Sequence, residues 1–198
     1  MMKFIFIFMA LFLLWVPVSH GQTSEWTGNI NFFIGLKSLN EDDWAPTENQ
    51  LAFGAKSDFR PRGWPINLAF DVIHSRADET MVMFDPLFGN VPFRMEANTT
   101  EFNLGVRKYW ENYEMMRPFV GGGLSILNAE ITGSAFGISI SEDDSAIGIW
   151  LGGGLLWVVE EHINIGVEAG YTKAEVTILG IDAEGGGFRV GGLVGYHF

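Results

Sequence analysis

The segment GGGFRVGGLVGYHF, residues 185–198, sets Phe188, Val190, Val194, Tyr196 and Phe198 at even spacing and interleaves them with glycine. A period of two is the mark of a strand with one apolar face. The segment closes on an aromatic, where a water-facing terminus would fray and carry polar residues. The expectation is a strand whose last side chain sits in apolar surroundings.

At the other end, MMKFIFIFMALFLLWVPVSHGQ has one early cation, Lys3, an apolar run from Phe4 to Val16, and then Pro17 and the small-residue ending Ser19-His20-Gly21. That is the layout of a secretory signal peptide over residues 1–21, cleaved after Gly21. A permanent anchor helix fits less well, because the run is short for a span of roughly 20 residues. With no cysteine in the chain, lipid attachment and disulfide stapling are both excluded. Residues 22–198 are then expected to form one domain.

Removing Lys3 leaves 11 basic against 24 acidic residues, a net charge of −13. So acidic a surface argues against nucleic acid as a partner. The chain is nevertheless 47% hydrophobic, with 25 glycines and 17 phenylalanines. After residue 21 the longest uncharged apolar segment, near AIGIWLGGGLLWVV, is broken by a triple glycine, so no apolar helix takes up these residues.

They alternate instead. Trp26, Gly28, Ile30, Phe32, Ile34 and Leu36 share one face of WTGNINFFIGLK. Leu51, Phe53, Ala55 and Phe59 do so in the next segment, then Ile66, Leu68, Phe70 and Val72, then Phe102, Leu104 and Val106. The pattern recurs at residues 118–127, 147–159, 163–173 and 188–198, which predicts eight strands of about 9 to 13 residues, the length that crosses a bilayer at a tilt.

Eight amphipathic strands would also suit a soluble ligand-binding barrel. Three features favour the membrane. The mixed face carries Lys37, Lys56, Asp58, Asp71, Glu101, Arg107, Glu168 and Arg189, four bases and four acids able to pair in a closed interior. Aromatics gather at one set of strand ends (Trp26, Phe59, Trp64, Tyr109, Trp110, Trp157, Tyr196 and Phe198), as an interfacial girdle would. Short connections (RPRGW, ENYEMM, VEEH) alternate with long acidic ones over residues 38–48, 76–100, 129–145 and 176–186. Short periplasmic turns and long outer loops are what an outer-membrane barrel has.

The terminal pattern Val190, Gly192, Val194, Tyr196, Phe198 resembles the C-terminal strand signal of bacterial outer-membrane proteins. Joined to the leader and the eight strands, it makes the chain similar to the small eight-stranded outer-membrane β-barrel family. That group contains the transmembrane domain of outer membrane protein A and the X-type proteins. The resemblance implies an all-β, antiparallel up-and-down barrel in the bacterial outer membrane. It also implies that Val194, Tyr196 and Phe198 are read by the barrel-assembly machinery, and that the partners are outer-membrane lipids and lipopolysaccharide around a monomer.

Catalytic and metal chemistry find little support. His74, His162 and His197 lie in different segments with no cysteine or His-x-x-x-His spacing beside them, so neither metal nor cofactor is expected. HSRADE offers His74 and Ser75 with Asp78 or Glu79, but neighbours on a strand point to opposite faces. The acidic runs at 41–43 and 142–144, with Asp182 and Glu184, lack a calcium-loop spacing and read as solvated charge. Met81 to Met95 is too apolar for a solvated loop, and is expected to extend the neighbouring strands as a rim hairpin, to fold over the mouth or to contact a partner, the first two being favoured.

The resulting expectation is a non-enzymatic barrel with a structural or surface-interaction role. Its lumen charge network is Lys56, Asp71, Glu101, Arg107, Glu168 and Arg189, with Glu168–Arg189 and Asp71–Arg107 as expected pairs and Phe33 and Trp150 filling space. A narrow channel for small or hydrophobic solutes is the alternative, and a lipid A-modifying enzyme the third.

Overall fold

The computed structural model describes residues 25–85, 89–111, 116–136, 138–160, 162–178 and 180–198. The expected signal peptide lies outside them. The elements are β1 (Trp26–Ser38), α1 (Glu41–Trp44), β2 (Asn49–Pro61), β3 (Asn67–Asp85), β4 (Gly89–Tyr109), β5 (Met116–Ala135), β6 (Ile138–Val159), β7 (Ile163–Lys173), β8 (Glu175–Ile178), β9 (Ile181–Glu184) and β10 (Gly187–His197). Eight strands form a closed antiparallel ring in the order β1-β10-β7-β6-β5-β4-β3-β2, and β8 and β9 form a separate hairpin. The eighth expected strand is thus β10.

The ring closes because no strand edge can be left open in hydrocarbon, where water cannot satisfy its N–H and C=O groups. β1 and β10 pair from Asn29↔His197 to Ser38↔Phe188. One further reciprocal bond pair ends the seam, Gly28 N–H to the Phe198 carbonyl and Phe198 N–H to that of Gly28, both 3.0 Å.

Through the barrel, apolar side chains point out and polar ones in. Phe32, Ile34, Leu51, Phe53, Leu104, Leu124, Ile149, Leu151, Val167 and Val194 are all exposed on the outer wall. An apolar surface this continuous is not tolerated in water, and a bilayer solvates it. Trp26, Phe59, Trp64, Trp110, Tyr196 and Phe198 are exposed at the short-turn end, as a girdle requires. Tyr109 is a correction: it is buried inside the barrel, one register step from where its neighbour Trp110 faces out.

The largest departure from expectation is strand length. β3, β4, β5 and β6 have 19 to 22 residues each, about twice the number that spans a bilayer. β3 and β4 stay paired up to Asp85↔Gly89, and β5 and β6 up to Ala135↔Ile138. Within the stretch 129–145, expected as a loop, residues 129–135 and 138–145 are therefore continuations of two strands. Residues 81–85 and 89–95 pair as the two arms of a rim hairpin, one of the expected arrangements for Met81 to Met95, with residues 86–88 outside the described ones.

Along these four strands the outer face changes character between two adjacent levels. The outward residues Val72, Phe102, Ile126 and Ile147 are linked by register and all apolar; two positions further on, His74, Thr100, Asn128 and Ser145 are linked in the same way and all polar. Arg76, Asn98, Glu130 and Asp143 follow, then Asp78, Glu96, Thr132 and Ser141. The membrane's outer surface therefore passes between the Val72 and His74 levels. Above it the four strands continue as a wall roughly 30 Å tall at about 3.3 Å per residue.

The chain has no cysteine of its own, so this boundary can be mapped by single substitutions. Ser139→Cys and Ser141→Cys should react with a membrane-impermeant maleimide on intact cells, whereas Ile147→Cys and Leu151→Cys should not. Equal labelling of positions 141 and 147 would displace the boundary.

Candidate functional site

Eight strands leave an interior about wide enough for side chains alone, and here charged ones fill it. Lys37, Lys56, Asp58, Asp71, Glu101, Arg107, Glu168 and Arg189 are all buried in the lumen. They form one alternating chain of acid and base. It begins at Asp58, whose Oδ2 lies 2.9 Å from Arg107, and Arg107 lies 2.8 Å from Asp71. Lys56 Nζ then bridges Asp71 at 2.7 Å and Glu168 at 2.8 Å. Glu168 reaches Arg189 at 3.9 Å, Arg189 reaches Glu101 at 3.2 Å, and Glu101 ends the chain on Lys37 at 2.8 Å. Four acids against four bases make the interior neutral, the condition for keeping charges away from bulk water.

Both expected pairs are therefore in contact, with unequal quality. Arg107 donates two bonds to Asp71 from one guanidinium nitrogen, at 2.8 and 3.1 Å. Glu168–Arg189 is the longest link, and Glu168 Oε2 and the Arg189 Nη2 and Nε atoms have no hydrogen-bond partner among the described residues. Arg189 is held instead by Glu101 and by Thr172 Oγ1 at 2.9 Å, which itself donates to Glu101 at 2.8 Å.

The apolar residues of the lumen hold the cations in place. The Arg107 guanidinium lies 5.7 Å from the Phe119 ring and 5.9 Å from the Trp150 ring, and Lys56 lies 5.9 Å from Phe33, distances at which a ring face attracts a cation. Glycine supplies the room. A Cβ on Gly170 would come within 3.0 Å of the Arg189 guanidinium, and one on Gly121 within 3.1 Å of the Trp150 ring.

Toward the periplasmic end the chain rests on a polar floor. Asp58 accepts from Asn29, Asn67, Arg107 and the Tyr109 hydroxyl, the last at 2.7 Å. Asn164 donates to Asn29 and Asn31 at 3.0 Å each, and the His197 ring contacts Asn29 at 3.0 Å and Arg117 at 3.1 Å.

At the other end the lumen is capped. Leu39, the α1 residue Trp44, Leu127, Ala129, Val176, Ile178 and Ala183 bury one another in an apolar cluster over the charge chain. Trp44 Nε1 donates to the Glu184 carbonyl at 2.8 Å, and Asp43 accepts from the Glu184 N–H at 3.0 Å, which ties α1 to the β8–β9 hairpin. Asp144 accepts from the Thr177 N–H at 2.7 Å, and the N–H groups of Thr177 and Ser145 hold its carboxyl below the ordinary carboxylate range. This tether is complete at neutral pH and is released only as the pH falls through that lowered value. Asp43 and Asp144, expected as solvated charge, thus fasten the mouth, and nothing in the alternation of the sequence singled out Trp44 as the cap.

The remaining expected residues do not converge. His74 points outward, its Nδ1 3.0 Å from Thr100 Oγ1, whereas Ser75 points inward to Gln50 at 2.6 Å. Asp78 is taken up by Arg94. Among the described residues no three metal-ligating side chains cluster. Val194, Tyr196 and Phe198 are exposed on the outside of the last strand.

No protein family and no curated protein matches the chain. Solved structures do. The crystal structure of Ail, the attachment invasion locus protein of Yersinia pestis, in complex with the heparin analogue sucrose octasulfate, is similar over 88% of this chain and 100% of its own, with 17% identity and a TM-score of 0.54. A second crystal structure of the same Yersinia pestis protein gives the same coverage and identity with a TM-score of 0.50. The fold is that of the eight-stranded barrels of the bacterial outer membrane.

The charge chain makes a graded energetic statement. Lys56→Met leaves Asp71 and Glu168 short of a counter-charge and should destabilise the barrel by roughly 3–5 kcal/mol in urea unfolding from lipid vesicles, with Lys56→Met/Glu168→Gln milder than Lys56→Met alone. Double-mutant cycles should show stronger coupling for Asp71–Arg107 than for Glu168–Arg189. Additive losses in both cycles would contradict a connected chain.

Proposed function

We propose that the chain is a monomeric outer-membrane barrel with a closed lumen, acting in surface structure or surface interaction and carrying out no catalysis. The observation that carries this is the unbroken run of eight lumen charges, with an apolar cap above it and an asparagine floor below. A solute path would have to part ion pairs in a space that offers them no replacement water. That weighs against the channel reading, and the divergence of His74 and Ser75 weighs against a lipid-modifying enzyme.

The distribution of charge says which surface faces partners. The segments above the membrane, 38–48, 76–100, 129–145 and 173–187, hold fifteen acids and three bases, a net −12. The lumen is neutral, and the periplasmic turns and strand ends hold five acids and four bases. Nearly the whole charge of the domain is thus displayed outward. One Ail crystal holds a heparin analogue, a polyanion; a mouth of this charge repels polyanions, so that ligand class is not carried over. Outer-membrane lipids and the acyl chains of lipopolysaccharide pack on the apolar outer belt below the His74 level.

We also propose that Val194, Tyr196 and Phe198 form the assembly signal read by the barrel-assembly machinery. Their side chains face away from the lumen, and Phe198 carries the final backbone pair of the seam.

In planar bilayers the folded protein should show no stable conductance; a steady, sizeable channel would promote the alternative of a narrow pore. Deleting Phe198 should lower the yield of heat-modifiable barrel in the outer membrane while export to the periplasm continues. Normal yield in the deletion would remove the assembly role.

A further inference from the structure

Above the membrane the inner face of the wall inverts as sharply as the outer one. Within the barrel it bears the charge chain; on the extended strands it bears Phe93 and Met95 from β4, Ile131 from β5, Ile138 and Ile140 from β6, facing Ile178 at the end of β8. Together they line a cavity of about 490 Å³, open to the outside. Gly133 lets the wall take this shape: a Cβ there would come within 3.2 Å of the Phe93 ring. Below it, Ile131 packs against the apolar cap, so the cup has a floor and does not lead into the lumen.

The cup is unusual for what it leaves unfilled. Ile138 and Ile140 remain 69% and 71% exposed although they point inward, above the lipid that solvates the other exposed isoleucines. At the same cavity stands Glu142, whose carboxylate has no hydrogen-bond or ion-pair partner among the described residues. No base lines the cup, and the wall's two arginines are already engaged, Arg76 by Glu96 and Arg94 by Asp78.

We propose that this cup is a binding site for small cationic amphiphiles, molecules with an apolar body and a positively charged head. Its volume lies within the range of small-molecule sites, roughly 300–1,000 Å³, and such sites combine apolar lining with a few placed polar groups. The apolar body displaces water from Phe93 and the isoleucines of β6, while the head reaches Glu142, the register partner of Ile131 at the floor of the cup. The net −12 around the mouth draws cations toward it and turns anions away. An anionic amphiphile of equal length would fit the walls and be opposed by both charges. The site lies above the cap and is independent of whether the lumen conducts.

The isoleucines supply their own test. With isoleucine δ1 methyls labelled and the barrel in zwitterionic nanodiscs, octylammonium should shift the methyls of Ile131, Ile138, Ile140 and Ile178 saturably. The lipid-facing Ile147, Ile163 and Ile165 report simple partition into the bilayer. Octanoate at the same concentrations should leave the cup methyls in place. Glu142→Gln should weaken octylammonium about tenfold without changing the response to neutral octanol, and Ile140→Asn, at an exposed position, should abolish the cup response while heat-modifiable mobility is kept. Cup and belt methyls moving together without saturation would overturn the site. Equal binding of octanoate, or an unchanged affinity in Glu142→Gln, would overturn its charge selection.

Discussion

A backbone amide in hydrocarbon has no water to turn to. From that one constraint the ring of eight strands follows, and the size of the ring decides what the interior can be. Large side chains, Phe33, Trp150 and Arg189 among them, are buried in the lumen. The polar groups on its inner face must satisfy one another, and the alternating chain from Asp58 to Lys37 is how they do so. Its members come from β1, β2, β3, β4, β7 and β10, so the ion pairs also tie opposite walls together. β5 and β6 contribute no charge to it and instead bring Phe119 and Trp150 against Arg107.

The inversion above the membrane extends the same logic. Where lipid ends, the outer face must become polar, and the sheet can turn its apolar side inward only if something covers it. Near the barrel that cover is built in: Trp44 and the β8–β9 hairpin close over Leu127 and Ala129. Higher up, Ile138 and Ile140 have no such cover. A charge-filled lumen thus lies beneath a partly open apolar cup.

Much of this was legible in the alternation. A strand with lipid on one side and a packed polar interior on the other writes period two with a single phase, and all eight strands are legible that way. The extensions of β5 and β6 were not. At Ile126 to Asn128 and at Ser145 to Ile147 the period continues but its phase reverses, and Ser, Thr and Glu on the formerly apolar face imitate a loop. Tyr109 was misplaced because an aromatic at a strand end fits both a girdle and a lumen; only parity with Arg107 tells them apart. Trp44 lies in a single helical turn within an acidic loop, where no local pattern reports that its ring is buried by residues far along the chain. The order of the ion pairs depends on lengths of side chain and on strand stagger, which pairing alone leaves open.

The central claim, that the lumen is sealed by a locked chain of ion pairs, can be read from the lysines. After residue 21 there are four, Lys37 and Lys56 in the lumen, Lys108 near the periplasmic turns and Lys173 at the outer end. Side-chain ¹⁵N spectra of the folded barrel at neutral pH distinguish ammonium groups shielded from solvent from those that exchange freely. Two of the four should give sharp, slowly exchanging ammonium signals, lost one at a time in Lys37→Met and Lys56→Met. Rapid exchange of all four would mean that water runs through the lumen, and would contradict the account.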